Sequence, residues 1–173
     1  LDVVTDSVTY YAPIVAMDKK IYLFGGVIGT RKIVVFNTET NTANEQALSS
    51  TYEYGCSGAS VGNKIYLFGS KTFKTGTTIN IYNISNNTLS KSSLALPISA
   101  SGIAACAIND KIYLFGGHNT DTSAGIYGTF LDSITVFDVT NNTILTLGVR
   151  LPVGMTNIGV AALGTKIYLF GGS

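Results

Sequence analysis

The chain has 173 residues, enough for one domain with a substantial core; 46% are hydrophobic and only 12% are charged. Eleven Lys and Arg against ten Asp and Glu leave a net charge of +1, and with no basic stripe nothing supports a nucleic-acid footprint. No apolar run approaches the length a helix needs to cross a bilayer, so no membrane span is expected.

In chain order, the first recurring element is the small, apolar APIVAM at Ala12–Met17, followed by an Asp-Lys turn and KIYLFGG at Lys20–Gly26. VVFNTETNT follows at Val34–Thr42. The set then returns as SGASV (Ser57–Val61), a Gly-Asn turn, KIYLFGS (Lys64–Ser70), NIYNISNNT (Asn80–Thr88) and LSKSSLALP (Leu89–Pro97). It returns again as GIAACAI (Gly102–Ile108), an Asn-Asp turn, KIYLFGG (Lys111–Gly117), TVFDVTNNT (Thr135–Thr143) and ILTLGVRLP (Ile144–Pro152). Last come IGVAAL (Ile158–Leu163), a Gly-Thr turn and KIYLFGG (Lys166–Gly172).

Spacing shows which part of this unit is fixed. The heptapeptide lysines lie 44, 47 and 55 residues apart. From heptapeptide to the Asn/Thr-rich block the distance is 14, 16 and 24, whereas from that block to the next heptapeptide it is 30, 31 and 31. Length variation therefore sits in one connection, directly after the glycines. The fixed part reads as four strands, a to d: the small apolar segment, the heptapeptide, the Asn/Thr-rich block and the segment after it. Tight polar turns between a and b are hairpin chemistry. A helical period never appears, so the chain is expected to be all-β. IYLF is apolar on both alternating faces and must be covered on both sides, which a radial stack of four-stranded blades provides. The glycines end strand b where the backbone needs positive φ or close approach to the next blade; Ser70 relaxes that need in the second repeat.

An apolar strand ending in Gly-Gly, then an aromatic followed by Asn or Asp, then a Thr/Asn turn, resembles the kelch repeat of β-propellers across essentially the whole chain. Where that family usually has Trp after the c–d turn, this chain has Ala43, Leu89 and Ile144, and it has no Trp at all. The resemblance implies blades at about 10–50, 54–97 and 98–152 and a partial blade at 153–173. Leu1–Thr5, LDVVT, aligns with Leu147–Leu151 and reads as a closing d strand. The expected content of this single propeller segment is thus strand d, three whole blades, then strands a and b. Three arrangements remain open: a piece of a longer polypeptide, a protomer whose first strand completes a neighbour's last blade head-to-tail, or a small self-closed propeller. The start at Leu1 rather than Met favours a processed product or fragment.

Enzymes among kelch-like propellers supply tests. The galactose-oxidase-like copper site takes two His, and this chain has only His118, so that constellation cannot be built and no metal or cofactor is expected. Mutarotase-like or epimerase-like relatives act through acids and bases at the central mouth; Glu53, Asp121 and Asp132 could stand there, without a telling spacing. Asp18 and Asp110 are accounted for by the a–b turns, and Asp138 takes the family's turn position after the strand-c aromatic. GVIGT at 26–30 precedes a strand and so makes no phosphate loop.

Alternating strand directions gather b–c and d–a connections on one face. That face is expected to carry Arg31, Lys71, Lys74, His118, Asp121 and Tyr127 from b–c loops, and Tyr10, Tyr52, Glu53 and Tyr54 from d–a segments. Tyr-rich loops on a rigid scaffold suit recognition. The functional expectation is a non-catalytic scaffold that binds a protein partner or copies of itself; the alternative is a carbohydrate-active kelch enzyme. Polar bulk from Thr, Ser and Asn fits an extracellular or cell-surface protein, the alternative being cytoplasmic. Asn83, Asn86 and Asn141 head N-x-S/T triplets and are glycosylation candidates. Cys56 and Cys106 are expected to be unpaired, since their heights in strand a differ by about 10 Å.

Overall fold

Ile-Tyr-Leu-Phe has a bulky side chain at every position, so as a strand it offers Tyr and Phe to one side and Ile and Leu to the other. The computed structural model describes residues 12–25, 32–48, 55–70, 76–121 and 128–173. All four copies are strands there, and every described regular element is β. The first sheet contains β1 (Ile14–Met17), β2 (Lys20–Phe24), β3 (Lys32–Asn37) and β4 (Thr42–Ala47). The second contains β5 (Ser57–Val61), β6 (Lys64–Phe68), β7 (Thr78–Asn83) and β8 (Thr88–Ala95). After the short β9 (Ala100–Ser101) come β10 (Ala104–Ile108), β11 (Lys111–Phe115) and β12 (His118–Asn119), which pairs back onto β9. The third sheet is completed by β13 (Ser133–Asp138) and β14 (Thr143–Arg150); β15 (Gly159–Leu163) and β16 (Lys166–Phe170) form a two-stranded fourth.

Each four-stranded sheet is an antiparallel meander in chain order, so the heptapeptide is an inner strand three times. Register repeats as well. The heptapeptide Ile lies opposite Phe36, Tyr82 and Phe137 in the three sheets. Leu1–Thr5, the expected closing strand, lies outside the described residues.

Stacking answers why both faces of IYLF are apolar. Strands β1, β5, β10 and β15 lie side by side, as the innermost strands of successive propeller blades do. Tyr22 and Phe24 of the first blade close on Tyr82 of the second, with ring centroids 6.2 and 5.5 Å away. Tyr66 and Phe68 of the second close on Phe137 of the third at 5.4 and 5.8 Å. One strand-c aromatic is thus gripped by two strand-b aromatics at each of these two interfaces, a tilted and edge-on geometry that suits ring quadrupoles. Leu89 and Ile144 stand opposite those gripped rings across the c–d ladder and pack into the same cores, so aliphatic side chains serve where a Trp is usual.

In the second and third blades the first glycine after strand b meets both requirements anticipated for it. Gly69 and Gly116 have φ of +78° and +59°. A Cβ there would lie 2.4 Å from the Ala100 carbonyl oxygen and 2.2 Å from that of Met155, both in the next blade. At the second position it is the amide that matters: Ser70 N donates to Ala100 O (2.9 Å) just as Gly117 N donates to Met155 O (2.8 Å). Serine keeps that donor, as any residue but proline would, and Ser70 is not among the positive-φ residues.

Asparagine in the c–d turns has two roles. At the end of strand c, Asn37, Asn83 and Asp138 accept backbone N–H bonds from Glu39, Ser85 and Asn141 at 2.9, 3.0 and 2.9 Å. Asn41, Asn87 and Asn142 then take φ of +54°, +53° and +49°, which Asn tolerates better than other side chains. Neither cysteine is in a disulfide. Cys56 belongs to the core between the first and second blades, while Cys106 lies in the third, with burial pushing its thiol pKa up.

Candidate binding site

Nine residues before each of the last three heptapeptide lysines stand Gly55, Gly102 and Asn157, with φ of +79°, +61° and +54°. The chain turns there to enter strand a. Gly102 N donates to Gly55 O (3.4 Å) and Asn157 N donates to Gly102 O (3.0 Å), so hydrogen bonds join the rims of successive blades. Thr156 Oγ1 also donates to Gly102 O (3.1 Å). A Cβ on Gly102 would lie 2.3 Å from that hydroxyl, which leaves glycine as the residue that fits.

These rims surround a hollow of about 870 Å³ lined by residues 12–14, 55–58, 101–103 and 156–159 together with His118, Phe130 and Ser173. Four blades contribute to it. Among the described residues its lining has no Asp, Glu, Lys or Arg. Ile14, Ile103, Ile158 and Phe130 supply apolar surface; Ser57, Ser101, Thr156 and backbone groups supply hydrogen bonding. The Phe130 ring is 49% exposed, tilted 58° to the His118 imidazole with centroids 5.8 Å apart. His118 is held by β12 opposite Ser101 and by a bridge to Phe130. An exposed aromatic on a fixed backbone offers contact area with little ordering cost.

Of the residues expected on this face, His118 lines the hollow. Asp121 lies just past β12, half-buried and outside the lining, and its backbone N donates to Asn119 Oδ1 (2.8 Å). Arg31, Lys71, Lys74, Tyr127, Tyr10, Tyr52, Glu53 and Tyr54 lie outside the described residues. Asp132 is paired with Arg150 (3.0 Å) and does not reach the lining. Among the described residues no group of three or more His, Cys, Asp or Glu is arranged to hold a metal.

The a–b and c–d turns of the third blade meet elsewhere, around a cavity of about 380 Å³ lined by residues 108–111, Tyr113, Asp138, Thr140 and Asn141. There the Lys111 ammonium, and then the backbone and side-chain N–H groups of Asn141, hold the Asp138 carboxyl well below the usual carboxylate range. The triplet asparagines are all parts of such turns. Asn83 is half-buried with Oδ1 committed to Ser85 N; Asn86 is exposed, accepting from Thr88 Oγ1 (2.7 Å); Asn141 is exposed, donating from Nδ2 to Asp138 Oδ2 (3.0 Å).

Phe130 and the rim residues were not anticipated. The nine-residue offset from each heptapeptide could have exposed the rim positions; nothing in GTFLD marks Phe130. Residues 99–143, from just before β9 to the first residue of β14, match the family model of the kelch motif. No curated protein matches the chain.

Proposed function

We propose that this chain, a kelch-repeat protein whose blades are stacked as described, is a non-catalytic scaffold that receives an uncharged loop of a protein partner in its central hollow. Kelch motifs are commonly protein-interaction scaffolds, and the site chemistry supports that role here. The observation that carries it is that the described lining residues are uncharged: small residues and backbone groups for hydrogen bonding, with the side chains of Ile14, Ile103 and Ile158 and the exposed Phe130 for apolar contact. Buried charge on a partner would find no counter-ion among the described lining residues, so apolar and small polar side chains fit best. A carbohydrate-active reading calls for an acid and a base facing the substrate. Among the described lining residues the hollow offers His118 and no carboxylate.

A displayed peptide library selected against the folded chain tests this. Phe130→Ala should weaken the selected peptides at least about tenfold, as loss of an aromatic anchor does. Lys111→Ala, on the turn side of the third blade, should leave their affinity unchanged. Peptides indifferent to Phe130→Ala, or dependent on Lys111, would overturn the assignment.

A further inference from the structure

The c–d turn of the second blade holds two adjacent N-x-S/T triplets, Asn83-Ile84-Ser85 and Asn86-Asn87-Thr88, and the third blade repeats the second of them as Asn141-Asn142-Thr143. Such a triplet is an acceptor for N-glycosylation when it lies at the surface of a secreted chain. The sugar is carried on Nδ2. An acceptor must therefore fold with that nitrogen open to solvent, and the turn must not depend on it. The three asparagines differ in this respect.

Asn83 is the last residue of β7, half-buried between Lys64 and Thr88 of the flanking strands, and its Oδ1 accepts the Ser85 N–H that opens the turn (3.0 Å). A sugar there would have to leave from between two paired strands. Asn141 is exposed, but its Nδ2 donates to Asp138 Oδ2 (3.0 Å) and its backbone N to Asp138 Oδ1 (2.9 Å). A sugar on that nitrogen would stand against the carboxylate it caps, and Asp138 is only 8% exposed. Asn86 holds the equivalent place in the second blade, where the residue three before it is Asn83 instead of an aspartate. It is exposed, its Oδ1 accepts from Thr88 Oγ1 (2.7 Å), and among the described residues nothing accepts from its Nδ2. Its neighbours hold the turn. Asn63 Nδ2 donates to Ser85 Oγ (2.8 Å), Asn87 Nδ2 donates to Ala47 O of the first blade (3.1 Å), and Tyr82 OH donates to Asn87 Oδ1 (3.0 Å).

We propose that Asn86 is the N-glycan acceptor of this chain and that Asn83 and Asn141 are not. The sugar comes from a glycosyl diphosphate donor: the Nδ2–C1 bond forms as the C1–O bond to the diphosphate breaks, the diphosphate leaves, and Nδ2 gives up one proton. The assignment carries with it a secreted or cell-surface location. The c–d turn lies at the opposite end of strand d from the d–a entries that line the hollow. The sugar therefore covers the turn side of the second blade, leaves the hollow open, and stands apart from the loop-binding role.

Mass spectrometry of the protein purified from its own cells, before and after enzymatic release of N-glycans, tests the assignment. It should find sugar on Asn86 and unmodified Asn83 and Asn141. Variants secreted from a glycosylating eukaryotic host test the reason. Asn86→Gln should lose the glycan and keep the unfolding midpoint of the enzymatically deglycosylated wild type. Asn141→Ala should keep the glycan and lower the midpoint, since it removes a hydrogen bond to a carboxylate. Native protein without sugar on Asn86 would overturn the proposal. So would sugar on Asn83 or Asn141 in as large a share of the molecules as on Asn86, or a midpoint lowered as much by Asn86→Gln as by Asn141→Ala.

Discussion

Phe137→Ala should lower the stability of the chain by about 3–5 kcal/mol, the cost of emptying a close-packed aromatic site. The side chain is 1% exposed, edge-on to Phe68 and tilted to Tyr66. Its neighbours are strands of two different sheets, so the space it leaves cannot close without moving one blade against another. Denaturant unfolding should show a lower midpoint with an unchanged slope if the stack unfolds as one unit. Two separated transitions would mean that the first two blades outlive the third, as nearest-neighbour coupling in repeat proteins allows. A loss below about 1 kcal/mol, the size of an ordinary surface change, would contradict the gripped-ring account.

Gly116→Ala should be nearly as damaging for a different reason. A left-handed backbone costs a Cβ-bearing residue about 1–2 kcal/mol, and φ at Gly116 is +59°. The new methyl would stand 2.2 Å from the Met155 carbonyl oxygen, and forcing a group into packed structure adds about 1–3 kcal/mol. The total is about 2–5 kcal/mol from the two terms together. Gly62→Asn is the control: φ there is +58°, nothing lies within 4 Å, and Asn109 already occupies the equivalent turn position at +53°. That variant should stay within about 0.5 kcal/mol of wild type. Equal losses at the two sites, measured by the same unfolding experiment, would show that blade contact at Gly116 adds nothing.

These contrasts also mark what could be read before any coordinates. The strands were legible because a side-chain period of two, repeated in an identical heptapeptide, has one physical solution when both faces are apolar. The c–d turns were legible through their asparagines, whose side chains both cap the turn and accept positive φ. Ser70 was readable as a relaxed position, but not why, since the retained amide bond to Ala100 joins residues of two blades. The binding hollow was hardest to see. It is made by the curvature of the stack, which brings Gly55, Ser101 and Thr156 together from separate repeats, and that curvature is a sum of packing contacts rather than a local pattern. Loop residues such as His118 were chosen for being variable and polar; Phe130, equally part of the mouth, looked like ordinary strand-edge sequence.

The central claim is that one strand sequence, KIYLF, written four times, forms the second strand of successive stacked blades, and that its copies differ in what pairs with them and what covers them. Amide hydrogen exchange across the four copies tests this most directly. In β6 and β11 the backbone is paired on both sides and the side chains are covered on both faces, so their amides should exchange at the slow limit set by global unfolding. In β16, which among the described residues pairs with β15 alone and whose Tyr168 and Phe170 are exposed, exchange should be faster, above all at amides pointing away from β15. Uniform exchange across the four copies, or β6 and β11 exchanging as fast as the exposed β4, would contradict the account.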